Sequence, residues 1–164
     1  MIIGSSDLYI SKLYVIIGTP EDKTLLDLCC GEMPHTRSLK FKSHFGVDIL
    51  DWPNRPKEIP FEQADLRIWE PKQHYDIAIL SDGIEHFSKI EGRNIIKRME
   101  SWAALPIIFA PIGNYEIAPN AVDPHSHKCG WTAEEFQQLG WQTTDYPNWH
   151  PTLNLGAFFA WKRQ

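Results

Sequence analysis

The sequence contains no uninterrupted apolar run of the roughly 18 residues that a membrane-crossing helix needs, so no membrane-spanning segment is expected. It has three cysteines, two of them adjacent (Cys29 and Cys30), which is too few for the disulfide framework of a small secreted domain. The opening Met1-Ile2-Ile3-Gly4 lacks the basic n-region of a signal peptide. A soluble protein of the reducing cytoplasm is the expectation. Positive charge is also in short supply: 16 Lys and Arg against 21 Asp and Glu give a net charge of −5. A phosphate backbone would want a basic stripe, so nucleic acid is not the expected partner. Neither internal repeats nor low-complexity segments occur. What is present suffices for one folded domain over residues 1–164, with 43% hydrophobic, 12% aromatic and 23% charged residues.

The periodicities alternate between strand and helix. Leu8 to Ile17 carries Ile10, Leu13, Tyr14 and Ile17 at the i, i+3, i+4, i+7 spacing of a helix face. Thr24 to Cys29, Phe45 to Ile49, Phe61 to Leu66, Tyr75 to Leu80 and Pro106 to Ala110 read as short buried strands. Pro34 opens a predicted helix carried on by Thr36 to Lys40. Three prolines, at 53, 56 and 60, exclude a helix between the second and third strands. Ser88 to Ala104 is the clearest helix: Ser88 and Glu91 form a capping box, and Ile90, Ile95, Ile96, Met99, Trp102 and Ala103 are assigned to its inner face. Thr132 and Glu135 form a second capping box, flanked by the staple pair Trp131 and Phe136, and Gly140 stops that helix. Trp141 to Asp145 and Leu155 to Trp161 complete an antiparallel pair. This order predicts an α/β protein with a Rossmann-like, doubly wound, mainly parallel seven-stranded sheet, trimmed between strands two and four. Residues 111–130 lack periodicity and read as a lid or binding loop.

In open α/β sheets, ligands sit beyond the carboxyl ends of the strands. The side chains there are Asp27-Leu28-Cys29-Cys30-Gly31, then Asp48, then Asp65-Leu66, then Ser81-Asp82 with Glu85-His86 close behind. Asp48 follows Asp27 by 21 residues, the distance at which an acid can accept from both hydroxyls of a ribose. Four acids at four strand ends suit a neutral or cationic nucleoside. A dinucleotide pyrophosphate would want three glycines in the first turn, yet only Gly31 is present, with Cys29 and Met33 in the other places and Glu32 repelling phosphate.

These successive motifs resemble those of the class I S-adenosylmethionine-dependent methyltransferases, in the small-molecule type whose fourth strand runs into a Glu-His pair. The stretch from His127 through Trp131 to Trp141 also resembles the family's approach to its sixth strand, and the likeness spans residues 24–161. It implies S-adenosylmethionine as cofactor. Asp27, Cys29 and Gly31 would shape the loop at the methionine end, Asp48 would hold the ribose, Asp65 and the Leu66 amide would meet adenine, and Ser81 would line the amino-acid end. Asp82 and His86 are the candidate bases for an oxygen acceptor. The Asn/Asp-Pro-Pro-aromatic signature of enzymes that methylate nucleic-acid amines is missing after the fourth strand. The implied partner is a small-molecule acceptor, with self-association possible. Two departures stand out: Met33-Pro34 is expected to narrow or reshape the loop, and the missing helix leaves one sheet face thinly covered or covered by a partner subunit.

Plainer readings accompany each of these residues. Asp27, Asp48 and Asp65 would also serve as turn-capping acids, Cys29 and Cys30 as small buried side chains, and Glu85 and His86 as helix-entry residues. His125, His127 and Cys129 suggest zinc, but no second ligand pair follows, so no metal site is assigned; His127 is read instead as orienting the lid or touching substrate. Tyr115, His125 and His127 would contribute the acceptor pocket, with Trp52, Trp149 or Tyr115 stacking on a planar substrate. The competing class is a methyltransferase-like binding protein that has lost activity.

Overall fold

The computed structural model describes residues 5–113, 126–150 and 155–164. Within them the strands β1 (Thr24–Leu28), β2 (Ser43–Asp48), β3 (Phe61–Gln63), β4 (Tyr75–Ser81), β5 (Ala103–Pro111), β6 (Gln142–His150) and β7 (Leu155–Trp161) form a single sheet. Its order is β3-β2-β1-β4-β5-β7-β6. The first five strands run parallel, and β7 lies antiparallel between β5 and β6. This is the predicted doubly wound architecture. Among the described residues no helix is long and apolar enough to cross a membrane.

Strand alternation splits the apolar residues between two cores. Leu25, Ile77, Ile79, Ile107, Phe109 and Phe159 face α1 (Ser5–Ile17). Leu26, Leu28, Ala78, Leu80, Ile108 and Phe158 face α2 (Lys89–Trp102) and α3 (Ala133–Gln138). Each fully buried large side chain contributes about 1.5–3 kcal/mol, so burial of its apolar stripe holds α1 against the sheet. Its buried stripe is Tyr9, Leu13, Ile16 and Ile17, while Tyr14 is 44% exposed. The face is rotated from the predicted one because Tyr9, Leu13, Ile16 and Ile17 satisfy helical spacing as well as Ile10, Leu13, Tyr14 and Ile17 do; Tyr9 buries its ring and turns its hydroxyl to Ser81.

Both predicted capping features are present. Ser88 and Glu91 cap α2 reciprocally, and the Thr132 amide donates to the Glu135 carboxylate at 3.1 Å, with Trp131 and Phe136 rings 5.5 Å apart. The α2 helix ends at Trp102, however, and Ala103 already belongs to β5. Ile90 is 76% exposed. Five residues before Ile95, it lies well off the inner stripe, and the place belongs to Gly92, where a Cβ would stand 2.6 Å from the Trp131 ring. The helix expected after Pro34 does not form. One Arg37 N–H to Met33 carbonyl bond of 3.1 Å is made, but Thr36 turns its hydroxyl to Asp27 and the turn does not propagate past its costly nucleus. Leu39 and Phe41 from this segment pack into the α1-side core. Between β2 and β3, Arg55 stacks 4.0 Å over Phe61 and donates to the carbonyls of Pro56 and Ile59. Ordered turns therefore take the place of two crossover helices. Strand β3 stops at Gln63, shorter than expected, and β6 runs on to His150.

Candidate functional site

Strand order reverses between β1 and its neighbours β2 and β4, the position where α/β sheets open a crevice. A cavity of about 690 Å³ lies there, within the range of small-ligand sites. All nine residues predicted for the site line it: Asp27, Cys29, Gly31, Asp48, Asp65, Leu66, Ser81, Asp82 and His86.

The loop after β1 keeps the backbone of a glycine-rich turn with only one glycine. Cys29, Gly31 and Met33 have φ of 49°, 53° and 55°, left-handed values that cost a non-glycine residue on the order of 1–3 kcal/mol. Bonds around the loop offset this. Met33 N donates to Cys30 O at 2.7 Å and Cys30 N to Val47 O at 3.2 Å. The Gly31 amide donates to Asp48 Oδ2 at 2.9 Å. Met33, expected with Pro34 to narrow or reshape the loop, is accommodated beneath it. It is 1% exposed, and its terminal methyl occupies the place where a Cβ on Gly46 would stand. A glycine missing from the loop is matched by a glycine in β2. Gly83 plays the same part for Cys29, since a Cβ there would meet the Cys29 Cβ at 2.8 Å. Burial pushes both the Cys29 and Cys30 thiols up, so they fill space as neutral groups.

The acids are more engaged than an open anionic field would be. Buried Asp27 accepts from the Thr36 hydroxyl, with His44 Nε2 3.3 Å away, and so braces the loop from below. Asp48, 8% exposed, also accepts from the Leu50 amide at 2.9 Å through Oδ1. Asp65 is forked by Arg67, whose Nε lies 2.9 Å from both carboxylate oxygens. That pairing holds the Asp65 carboxyl below its usual range. Arg67 and Lys128 also line the cavity. The field is therefore mixed in sign, which corrects the purely acidic rim expected from sequence. Arg67 was missed although it stands two residues from Asp65, because a fork between near neighbours has no periodic signature.

At the end of β4, the Ser81 and Tyr9 hydroxyls bond to each other. Tyr9 stacks on His35 at 4.2 Å, and His35 Nε2 lies 3.8 Å from Asp82. Asp82 itself has φ 46°, which turns the chain sharply into the 3-10 turn Ile84–His86. Burial, then the charge of Asp82, raises the Glu85 carboxyl to about 8. Glu85 is 3% exposed, and its Oε2 has no hydrogen-bond partner among the described residues. The Glu85 carbonyl accepts from the amides of Lys128 and Cys129 at 2.8 and 3.3 Å, fastening the segment that precedes α3 to this turn. His86 Nδ1 lies 3.3 Å from the Ser126 carbonyl. Cys129 turns its thiol to the Phe87 carbonyl, away from the zinc arrangement weighed from sequence. Trp52 lines the cavity, whereas Trp149 is buried in the α1-side core and takes no part. Tyr115 and His125 lie outside the described residues.

No protein-family model and no curated protein matches the sequence. Solved structures do match in fold. N-methyltransferase NodS from Bradyrhizobium japonicum, in complex with S-adenosylhomocysteine, superposes with a TM-score of 0.70 at 10% identity, over 98% of this chain and 88% of that one. The 1,6-didemethyltoxoflavin-N1-methyltransferase of Burkholderia thailandensis, with toxoflavin precursor and S-adenosylhomocysteine bound, gives 0.69 at 13% identity over 99% and 79%. An S-adenosylmethionine-dependent methyltransferase from Mesorhizobium loti gives 0.70 at 12% over 98% of both chains. The chain has the Rossmann-like fold of the class I S-adenosylmethionine-dependent methyltransferases.

Proposed function

We propose that the protein transfers the methyl group of S-adenosylmethionine to the oxygen or nitrogen of a small-molecule acceptor, releasing S-adenosylhomocysteine, and that it works in the cytoplasm. The observation carrying this reading is the loop–acid pair at the switch point. Three left-handed residues expose the Gly31 backbone to the cavity, and Asp48 is fixed beside them by two amide bonds. Its carboxylate oxygens retain further lone pairs, which suits two ribose hydroxyls. Asp65 and the Leu66 amide would take the adenine edge, with Arg67 sharing or yielding the Asp65 carboxylate. Asp27 and Cys29 hold the loop, and Ser81 and Asp82 would receive the amino-acid end. The residues fit the cofactor.

Bound there, S-adenosylmethionine supplies an electrophilic methyl group on a sulfonium sulfur. The protein's own contribution is chiefly positioning, which in such displacements accounts for much of the acceleration. Asp82 and His86 line the cavity, and either would take the proton of a hydroxyl acceptor. Trp52 offers a flat surface to a planar group. The net charge of −5 and the single cavity-lining Arg67–Lys128 pair favour a small acceptor over a nucleic acid.

Incubating the protein with methyl-labelled S-adenosylmethionine and separate small-molecule, nucleic-acid and protein fractions of a cell extract tests the reading. Label is expected in a small molecule. Label appearing only in nucleic acid or protein overturns the acceptor class, and no transfer from any fraction favours the inactive binding protein.

A further inference from the structure

The turn after β4 and the segment around His127 bring three side chains with metal-binding donor atoms together. One carboxylate oxygen of Glu85 and one ring nitrogen each of His86 and His127 all lie within 4.8 Å of one another. The two imidazoles face each other edge to plane, with centroids 5.0 Å apart and rings inclined at 75°. Glu85 is 3% exposed and its Oε2 lacks a hydrogen-bond partner among the described residues. A buried carboxylate without a partner is costly unless a proton or a cation satisfies it.

We propose that Glu85, His86 and His127 bind one divalent first-row transition metal ion. Two imidazoles and a carboxylate are the donor set of borderline cations such as zinc, manganese, iron and cobalt. Around a tetrahedral ion with bonds of about 2.1 Å, ligand atoms stand about 3.4 Å apart. Binding would therefore draw the donor atoms together by up to about 1.4 Å, within the reach of side-chain rotation. The framework of the cluster is already fixed by backbone: the Lys128 and Cys129 amides bond to the Glu85 carbonyl, which holds His127 against the turn. The Ser126 carbonyl, 3.3 Å from His86 Nδ1, is placed to accept a hydrogen bond from that nitrogen. A carbonyl partner of this kind commonly fixes the tautomer of a metal-binding histidine.

Three protein ligands leave coordination positions open, as in catalytic rather than structural metal sites. His86 also lines the cavity, so the open positions adjoin the place assigned to the acceptor. On the methyl-transfer reading, on which this consequence rests, a cation here would hold an acceptor oxygen and ease loss of its proton. The site differs from the His125–Cys129 arrangement considered from sequence, because Cys129 is turned to the Phe87 carbonyl.

The test is calorimetric titration of chelator-treated full-length protein with zinc and with cobalt, cobalt binding being followed also by its visible absorption. Binding of one ion at micromolar affinity is expected, and at least about tenfold weaker binding in Glu85→Gln, His86→Ala and His127→Ala. Circular dichroism shows which variants remain folded, and a single folded variant suffices. No binding to the wild-type protein, or affinity unchanged in the folded variants, overturns the site. S-adenosylhomocysteine titrated into the same metal-free protein separates the two proposals. Its binding without metal binding removes the metal site alone, and metal binding without it removes the methyl-transfer reading alone.

Discussion

The terminal methyl of Met33 stands where a side chain on Gly46 would have to begin. The bulk added to the loop after β1 is thereby stored in a notch in β2, and the cavity stays open above it. Gly46→Ala is expected to destabilise the protein by about 1–3 kcal/mol, the usual cost of overpacking a filled core. The penalty should shrink in a Met33→Ala background, since the worst clash is with that methyl, the Cys30 sulfur standing farther off at 3.0 Å. Thermal unfolding of the two single variants and the double variant reads the coupling; strictly additive effects would contradict the packing.

Cys29 carries the first left-handed backbone of the same loop. A glycine there would relieve strain while giving up a buried thiol, so Cys29→Gly should change stability by less than about 1 kcal/mol. Cys29→Val, with a branched Cβ where φ is positive, should cost more than about 2 kcal/mol. Denaturant unfolding distinguishes them, and equal losses would mean that packing rather than backbone decides this position.

Asp65 is engaged by Arg67 before any ligand arrives. If Asp65 meets the adenine amine, Arg67→Ala should leave the affinity for S-adenosylhomocysteine unchanged or tighter, while Asp65→Ala weakens it by about tenfold, the worth of a charge-assisted hydrogen bond. Equal weakening in both variants, measured by calorimetry, would show that the ion pair itself forms the adenine pocket.

Asp76 ties the start of β1 to β4 by accepting from the Thr24 amide and hydroxyl at 2.7 and 2.8 Å. These bonds, the amide first, hold its carboxyl below the usual range. A depressed carboxylate stabilises fully above its unfolded value, about 3.9, and loses that stabilisation as pH falls through the folded value. Asp76→Asn should therefore lower Tm by roughly 2–4 °C at neutral pH, with the difference closing in acid. A difference independent of pH would assign the effect to something other than charge.

Much of this site is written locally. Each acid stands at or just beyond the carboxyl end of a strand, and the capping boxes at Ser88–Glu91 and Thr132–Glu135 announce their helices within four residues, so β1, β2, β4, α2 and α3 are legible together with nine of the residues that line the cavity. What escaped depends on distant chain. The notch at Gly46 receives Met33 only once β2 lies beside the loop. The turns that replace two crossover helices are held by Thr36 on Asp27 and by Arg55 on Phe61, contacts with no periodicity. The Glu85–His86–His127 cluster forms because backbone amides at Lys128 and Cys129 dock on the turn after β4. The face of α1 differs from the predicted one because two overlapping apolar spacings, one from Tyr9 and one from Ile10, are equally helical, and only packing on the sheet selects between them.

The central claim is that the crevice at the ends of β1, β2 and β4 holds S-adenosylmethionine through Asp48. Calorimetric titration of S-adenosylhomocysteine into wild-type protein and Asp48→Ala tests it most directly. The account expects saturable binding to the wild type and at least about tenfold weaker binding to the variant, from loss of charge-assisted ribose bonds. No binding to the wild type at millimolar ligand, or the same affinity in both proteins, would contradict it.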